Sequence, residues 1–433
     1  MHFDESAMRR ALESKRDGGE LDGETWEAIV GAYLAGDVGE AQVAALLMAT
    51  LWRGMSLAET AALTKAMVDS GETLSFPADL HVVDKHSSGG VSDVVSLVAI
   101  PLAAACGARV AKLSGRALGH TGGTIDKLDA IPGVRTALTA HEFVAQVERV
   151  GCAIAAQSER IVPADKRLYA LRDRTGTVPS PGLIVASILS KKIAGGAQSF
   201  VFDVKCGSAA FVRDPAAAQA LARELVEVAA RFGRGARALV TDMNEPLGHA
   251  IGTGIEAIEA RDVLCGSRRD GRVRALVLRI VHEMLALCGD SASDGKPEAA
   301  LDSGAAYETF VAMIEAQGGS RASLEGMHPA RRVADALAPR SGYVGEIDGI
   351  VLGNLARALS VHESTAGIVT NVRIGDAVCA GDVLAHVHGE RAEEAAVAAA
   401  FTIVQEPPPQ RPLVYHEAAQ CSSHTASPAV GWW

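Results

Sequence analysis

The chain has 433 residues, enough for two or three domains. Hydrophobic residues make up 48% and charged residues 21%, a globular mixture that excludes a disordered chain. Lys+Arg 41 against Asp+Glu 52 gives a net charge of −11, and aromatics are only 4%; a broad basic nucleic-acid or membrane surface and a base-stacking groove are both excluded.

Residues 1–20 are polar and charged with no apolar h-region, so no signal peptide is expected. From 5 to 70, apolar residues recur at three and four (Met8, Leu12; Leu46, Leu47, Leu51), with Gly18-Gly19 and Gly36 between them. That spacing predicts a small helical unit. At His81 the texture becomes short apolar runs alternating with Gly-rich turns, the pattern of an α/β domain. Strands are expected at 110–113, 200–204 and 238–241, and helices at 180–194, 215–232, 255–264 and 274–287. The longest apolar run lies between Asp93 and Arg109 and is shorter than a membrane span. Residues 290–304, rich in Ser, Asp and Gly, read as a loop. Beyond Arg340, Gly-Asp turns separate half-buried strands. The Pro-rich end from Glu406 carries little structure signal, and its last dozen residues are expected to be poorly ordered. The seven cysteines (Cys106, Cys152, Cys206, Cys265, Cys288, Cys379, Cys421) are widely spaced with no C-x-x-C pair. A zinc site or disulfide scaffold is not expected, and a reducing cytoplasm is.

Two Gly-rich loops follow strands about 30 residues apart. The first is Asp84-Lys85-His86-Ser87-Ser88-Gly89-Gly90. The second runs from Ser114-Gly115-Arg116 to Gly122-Gly123-Thr124. An oxyanion needs backbone N–H groups, hydroxyls and a cation, and glycines let the backbone come close. Lys85 and Lys112 supply cations; Ser87, Ser88, Ser96, Ser114 and Thr124 supply hydroxyls. The competing reading is that the glycines only make tight βα turns. Neither a Walker loop nor a G-x-G-x-x-G fingerprint is present. A third cluster holds Tyr169, Arg172, Ser187 and Lys191; Ser187 and Lys191, four apart, share a helix face. A buried cation there needs a partner, which a polar ligand can be. His86, inside the anion loop, is a candidate acid near neutral pH, or a structural His.

These residues resemble the thymidine/pyrimidine-nucleoside phosphorylase family. The family's K-H-S-T-G-G-V-G-D loop stands here as KHSSGGVSD (85–93), and its S-G-R-x-L-x-H-T-G-G-T-x-D-K-L-E signature as SGRALGHTGGTIDKLD (114–129). LYALRD (168–173), SILSKK (187–192), DVKCGSAAF (203–211) and TDMNEPLGHAIG (241–252) are similar too. The resemblance implies a small all-helical domain, a large α/β domain with a central mixed sheet, and a C-terminal α/β, hammerhead-like module. The implied division is 1–66 with 164–194, then 67–163 with 195–336, then 337–433 with a disordered tail. It implies a cytoplasmic homodimer that splits a pyrimidine (deoxy)nucleoside with inorganic phosphate, reversibly, into free base and (deoxy)ribose 1-phosphate, with no cofactor. Carried over, Lys85, Ser87, Ser96, Lys112, Ser114 and Thr124 would hold phosphate. Tyr169, Arg172, Ser187 and Lys191 would hold the base. His86, Arg172 and Lys191 would be catalytic, His86 at the base oxygen O2. Leu247, Ala250 and Glu259 match the positions where some members hold a monovalent cation such as K+.

The chain departs from that pattern. Ser88 replaces Thr, Ser92 replaces Gly, Val94 removes a polar side chain, Asp129 replaces Glu, and Thr253-Gly254 stands for Asn-Ala. Near 360, a longer basic and acidic segment appears as the short ALSVHESTAG (358–367). One alternative is therefore a specialised phosphorylase of a modified uridine such as 5′-amino-5′-deoxyuridine. Another is anthranilate-phosphoribosyltransferase-like glycosyl transfer, for which the acidic metal-binding pair is missing. A lipoyl-type carrier is a third, but residues 341–433 hold no lysine to acylate.

Overall fold

The computed structural model describes residues 3–116, 122–267, 271–290, 294–391 and 393–420. It opens with four helices: α1 (Glu5–Arg16), α2 (Gly23–Ala35), α3 (Glu40–Arg53) and α4 (Leu57–Asp69). Asp4, Asp22 and Ser56 cap α1, α2 and α4 by accepting a backbone N–H, and Ser56 and Glu59 form a capping box. Glu59 does more than cap. Its buried carboxylate takes the Lys15 ammonium at 2.7 Å and the Leu21 N–H at 2.9 Å, which pins α1 to α4. Glu59→Gln leaves the Lys15 charge buried without compensation. It should lower stability by about 3–5 kcal/mol, read as a fall in urea midpoint at unchanged slope.

The α/β region follows: β1 (Val82–Ser87), α5 (Val95–Ala105), β2 (Arg109–Ser114), α6 (Thr124–Asp129), α7 (Ala140–Val150) and β3 (Cys152–Ala156). The chain then returns to the helical unit with α8 (Pro163–Thr175) and α9 (Pro181–Ala194), which pack on α3 and α4. It resumes with β4 (Ser199–Cys206), α10 (Pro215–Arg231) and β5 (Gly235–Asp242). Next come β6 (Ala250–Gly252), α11 (Gly254–Leu264), α12 (Arg272–Leu287), α13 (Lys296–Asp302), α14 (Ala305–Ala316) and α15 (Arg321–Glu325). The last part holds β7 (Arg332–Leu337), β8 (Gly342–Ile347), α16 (Gly349–Ser360), β9 (Gly367–Thr370), β10 (Ala377–Val378), β11 (Val383–His388), α17 (Glu394–Ala399), β12 (Phe401–Val404) and β13 (Val414–Ala419).

The main sheet has the order β13-β5-β4-β1-β2-β3, parallel except for β13, which runs antiparallel to β5. β1 and β4 are neighbours, and the chain leaves them toward opposite edges. Ligands bind at such a switch point, beyond the carboxyl ends of the strands. Two smaller sheets, β10-β8-β12 and β6-β9-β11-β7, make the C-terminal module.

Three expectations change. The stretch read as a loop over 290–304 contains α13, whose Pro297 and Leu301 are buried despite the polar surroundings. The C-terminal stretch does not keep to its own module: β13 crosses back to cover the edge of the main sheet. Tyr415 anchors it by donating to Asp242. An unpaired sheet edge is a liability that a returning strand removes. Conversely β6 and β7, from before 337, pair inside the C-terminal sheet. The last dozen residues lie outside the described ones. Burial also runs across the expected division, because the helices share one continuous core with a face of the main sheet, including Leu46, Leu189, Phe200 and Leu225.

Candidate active site

A cavity of about 1020 Å³ lies beyond the carboxyl ends of β1, β2, β3 and β4, between the sheet and helices α8 and α9. Its wall holds nearly all of the residues expected to bind ligand: His86, Ser87, Ser96, Lys112, Ser114 and Thr124 on the sheet side, and Tyr169, Arg172, Ser187 and Lys191 on the helical side. Residues 117–121, inside the long signature, lie outside the described ones.

The sheet side is built from strand alternation and helix starts. Lys112 and Ser114, two apart on β2, share one face. Ser96 is the second residue of α5 and Thr124 the first of α6, so two helix N-termini open on the cavity. The Ser87 hydroxyl donates to Asp93 at 2.5 Å and accepts from the Gly89 N–H at 3.2 Å. Burial pushes the Asp93 carboxyl up, but Lys205, Lys85, Lys127 and the Ser87 hydroxyl outweigh it and hold the group well below the usual range.

Lys85 is the expected ligand that the structure sets apart. It is absent from the cavity wall, fully buried, and 3.1 Å from Asp203, which also holds Lys205 at 2.7 Å. Lys85 lies two residues before Ser87, deeper from the carboxyl end of β1, where Asp203 of β4 holds its ammonium. In this structure the Lys85 ammonium sits behind the loop, against Asp203.

The wall carries four lysines. Lys166 is paired with Glu159, Lys191 with Asp165 at 2.5 Å, and Lys192 with Asp84 at 2.7 Å. Among the described residues Lys112 alone has no carboxylate: its ammonium donates to the Lys85 carbonyl at 2.8 Å. Burial, together with the Lys192 charge, lowers its pKa to about 7. A buried cation with no counter-ion is a place made for an anion.

His86 is half-buried on the cavity wall. Desolvation, then Lys192, Lys112, Lys191 and Lys85, drive its pKa well below 6.5. The imidazole is therefore neutral at neutral pH in the free protein. A hydrogen bond from its N–H is within the expected role, and transfer of a proton would need an anion that offsets those lysines.

On the helical side Asp165, Tyr169 and Arg172 stand at i, i+4 and i+7 on α8, and Ile184, Ser187 and Lys191 at i, i+3 and i+7 on α9. Arg172 is buried. It donates to the carbonyls of Leu183 at 3.0 Å and Val178 at 2.7 Å, with its guanidinium carbon 5.6 Å from the Tyr169 ring centre. Burial lowers its pKa. Lys191 also donates to the Ser187 hydroxyl at 2.8 Å. Asp165, which the sequence reading missed, lies one helical turn before Tyr169; extending the α8 face by that turn finds it.

The segment 358–367 does not reach the cavity, and no described residue beyond 221 lines it. Instead the Ser364 carbonyl accepts from the Gly254 N–H at 2.7 Å and the Thr253 hydroxyl at 3.0 Å. Two departures from the family pattern thus meet each other. A Cβ on Gly254 would stand 2.8 Å from that carbonyl, so the family's alanine would crowd it here.

The residues expected to hold a monovalent cation come together but do not fit one. Glu259 accepts the N–H groups of His249 at 2.8 Å and Ala250 at 3.0 Å. The Ala250 carbonyl accepts the Ser92 hydroxyl, and the Leu247 carbonyl accepts the Arg373 guanidinium at 3.1 Å. Val94 brings no side-chain oxygen. Among the described residues no group of three or more His, Cys, Asp or Glu is placed to hold a metal ion. No helix of the described residues is long and apolar enough to cross a membrane.

Residues 79–307 match the family described as "Glycosyl transferase family, a/b domain", and residues 9–71 its "helical bundle domain". The chain is 42% identical over 428 residues to a thymidine phosphorylase of Sinorhizobium medicae, covering 94% of this chain and 98% of the relative. It is 42% identical over 395 residues to a pyrimidine-nucleoside phosphorylase of Geobacillus stearothermophilus, covering 88% and 91%. Among solved structures it is similar to anthranilate phosphoribosyltransferase from Thermus thermophilus. The TM-score is 0.58 at 21% identity, covering 71% of this chain and 99% of that one, which shows a shared fold.

Proposed function

The chain belongs to the thymidine and pyrimidine-nucleoside phosphorylase family, and from that membership we propose how its cavity works. It catalyses the reversible phosphorolysis of a pyrimidine nucleoside, with inorganic phosphate as co-substrate. The observation that carries the division of labour is the buried Lys112, without a carboxylate among the described residues, facing hydroxyls and two helix starts, opposite an Arg and Lys set on the helices.

Phosphate takes the sheet side, held by Lys112, Ser87, Ser96, Ser114 and Thr124, with the Lys85 charge behind. The pyrimidine takes the helical side, between Tyr169, Arg172, Ser187 and Lys191. A phosphate oxygen attacks C1′, the bond from C1′ to N1 breaks, and its electron pair goes to the base. Arg172 and Lys191 stabilise the negative charge that builds there. The His86 N–H donates to O2; once a phosphate dianion offsets the surrounding lysines, the imidazole can take up a second proton from solvent and, as imidazolium, pass it to O2. Closing the two walls on both substrates excludes water, which would otherwise compete as nucleophile. The expected division into a discontinuous helical domain, an α/β domain and a C-terminal module assigns base and phosphate to separate lobes. A cytoplasmic homodimer completes the proposal.

The test is release of free base from uridine, thymidine, 2′-deoxyuridine, cytidine and 5′-amino-5′-deoxyuridine, with and without phosphate. Phosphate-dependent release with formation of the sugar 1-phosphate is expected, and the ranking names the substrate. Release of base without phosphate would make the protein a hydrolase instead. His86→Ala should cut kcat by about 100-fold.

A further inference from the structure

We infer that this chain carries its own replacement for the monovalent cation, the Arg373 guanidinium with the Ser92 hydroxyl, so that the loop behind the phosphate site is held without potassium.

Ser92 is one of two non-glycine residues among those described with a positive φ, at 56°, a conformation that favours glycine. A serine held there is strained, and strain of this kind persists only where the surroundings enforce it. The surroundings are visible. The Ser92 hydroxyl donates to the Ala250 carbonyl, while the Ser92 carbonyl accepts the Gly248 N–H at 3.2 Å. A Cβ built on Gly248 would lie 2.5 Å from that hydroxyl and 2.3 Å from a Glu259 oxygen, so hydroxyl and carboxylate share one small space. Arg373 reaches in from the C-terminal module and donates to the Pro246 carbonyl at 2.6 Å and to the Leu247 carbonyl. An ion at this point would need the oxygens of Leu247, Ala250 and Glu259; each already has a donor. A guanidinium suits this role because its planar fork bonds two successive carbonyls and is always charged. The consequence reaches the active site, because residue 93, next in the chain, is the Asp that holds Ser87.

The inference rests on the family reading only for the expectation of an ion, and its readouts do not measure turnover. Thermal unfolding would be followed in equal concentrations of KCl, NaCl and choline chloride. A ligand that binds the folded state raises Tm in a saturable way. The parent protein should show no rise specific to K+, and crystals soaked in thallium(I) should show no anomalous peak among Leu247, Ala250 and Glu259. A K+-specific rise or a thallium peak in the parent would overturn the inference. Ser92→Gly, which relieves the strain and frees the Ala250 carbonyl, should gain a small K+-specific rise in Tm. The double variant with Arg373→Met should gain a larger one. Should the double variant not fold, Ser92→Gly alone decides. If the folded variants stay indifferent to K+, these two side chains do not exclude the ion, and the inference falls. Failure of every nucleoside to react would defeat the proposed function and leave these measurements standing.

Discussion

Lys191→Met is expected to lower kcat for phosphorolysis by about 100- to 1000-fold, the scale of removing one electrostatic stabiliser from an active site. Two effects add. The ammonium that would face the departing base is gone. Its partner Asp165, buried and 2.5 Å from it, is left as an uncompensated negative charge close to where negative charge must develop. The second effect has its own signature: Lys191→Met with Asp165→Asn should recover part of the loss, because the repelling carboxylate is neutral. A purely structural pair would move stability and leave the ratio of kcat to KM alone. A loss under about tenfold, or no recovery in the double variant, would remove Lys191 from the chemistry.

Lys112→Met is expected to raise KM for phosphate by about 100-fold or more while KM for the nucleoside changes little, as for loss of one partner of a buried charge pair. The ammonium has no carboxylate among the described residues, so the anion is its partner. This also sets a pH dependence. The folded-state pKa is lowered to about 7, so the charged form, which binds phosphate, is lost from the free enzyme as pH rises through that value. Phosphate favours the charged form and raises the pKa, so binding takes up a proton above pH about 7. KM for phosphate should therefore climb with pH, by at most about tenfold per unit. Phosphate gains its own second charge over a similar range, which alone would tighten binding, so weakening points to the lysine. Lys112→Met should abolish the climb. A parent KM that is flat or falling above neutral pH would contradict this account.

Most of this site was legible before any coordinate. Short-range chemistry was enough for Ser87, Ser96, Ser114 and Thr124, because a Gly-rich turn after a strand puts hydroxyls and N–H groups at its carboxyl end whatever surrounds it. Helical spacing was enough for Ser187 and Lys191. Periodicity also outlined the helical unit over 5–70 and the strands β2, β4 and β5. It failed at α13, where only Pro297 and Leu301 turn inward and leave too weak a stripe to read. It failed at β13 because pairing with β5, far away in the chain, makes a strand of residues with little propensity signal of their own.

What the amino-acid sequence determined by itself is the family, the helical and α/β textures, and the residue types gathered for an anion and a base, since these follow from local order and spacing. Only the tertiary structure decided the state of those residues. Lys85 is off the cavity wall because Asp203, on the neighbouring strand, holds its ammonium. The His86 pKa is lowered by desolvation first and then by four lysines from β1, β2 and α9. Lys191 is charge-paired because α8 brings Asp165 across to it. The Leu247 carbonyl accepts the Arg373 guanidinium from the C-terminal module, 126 residues on in the chain. Charge, protonation and occupancy depend on distances between segments remote in the chain, and those distances exist only once it has folded.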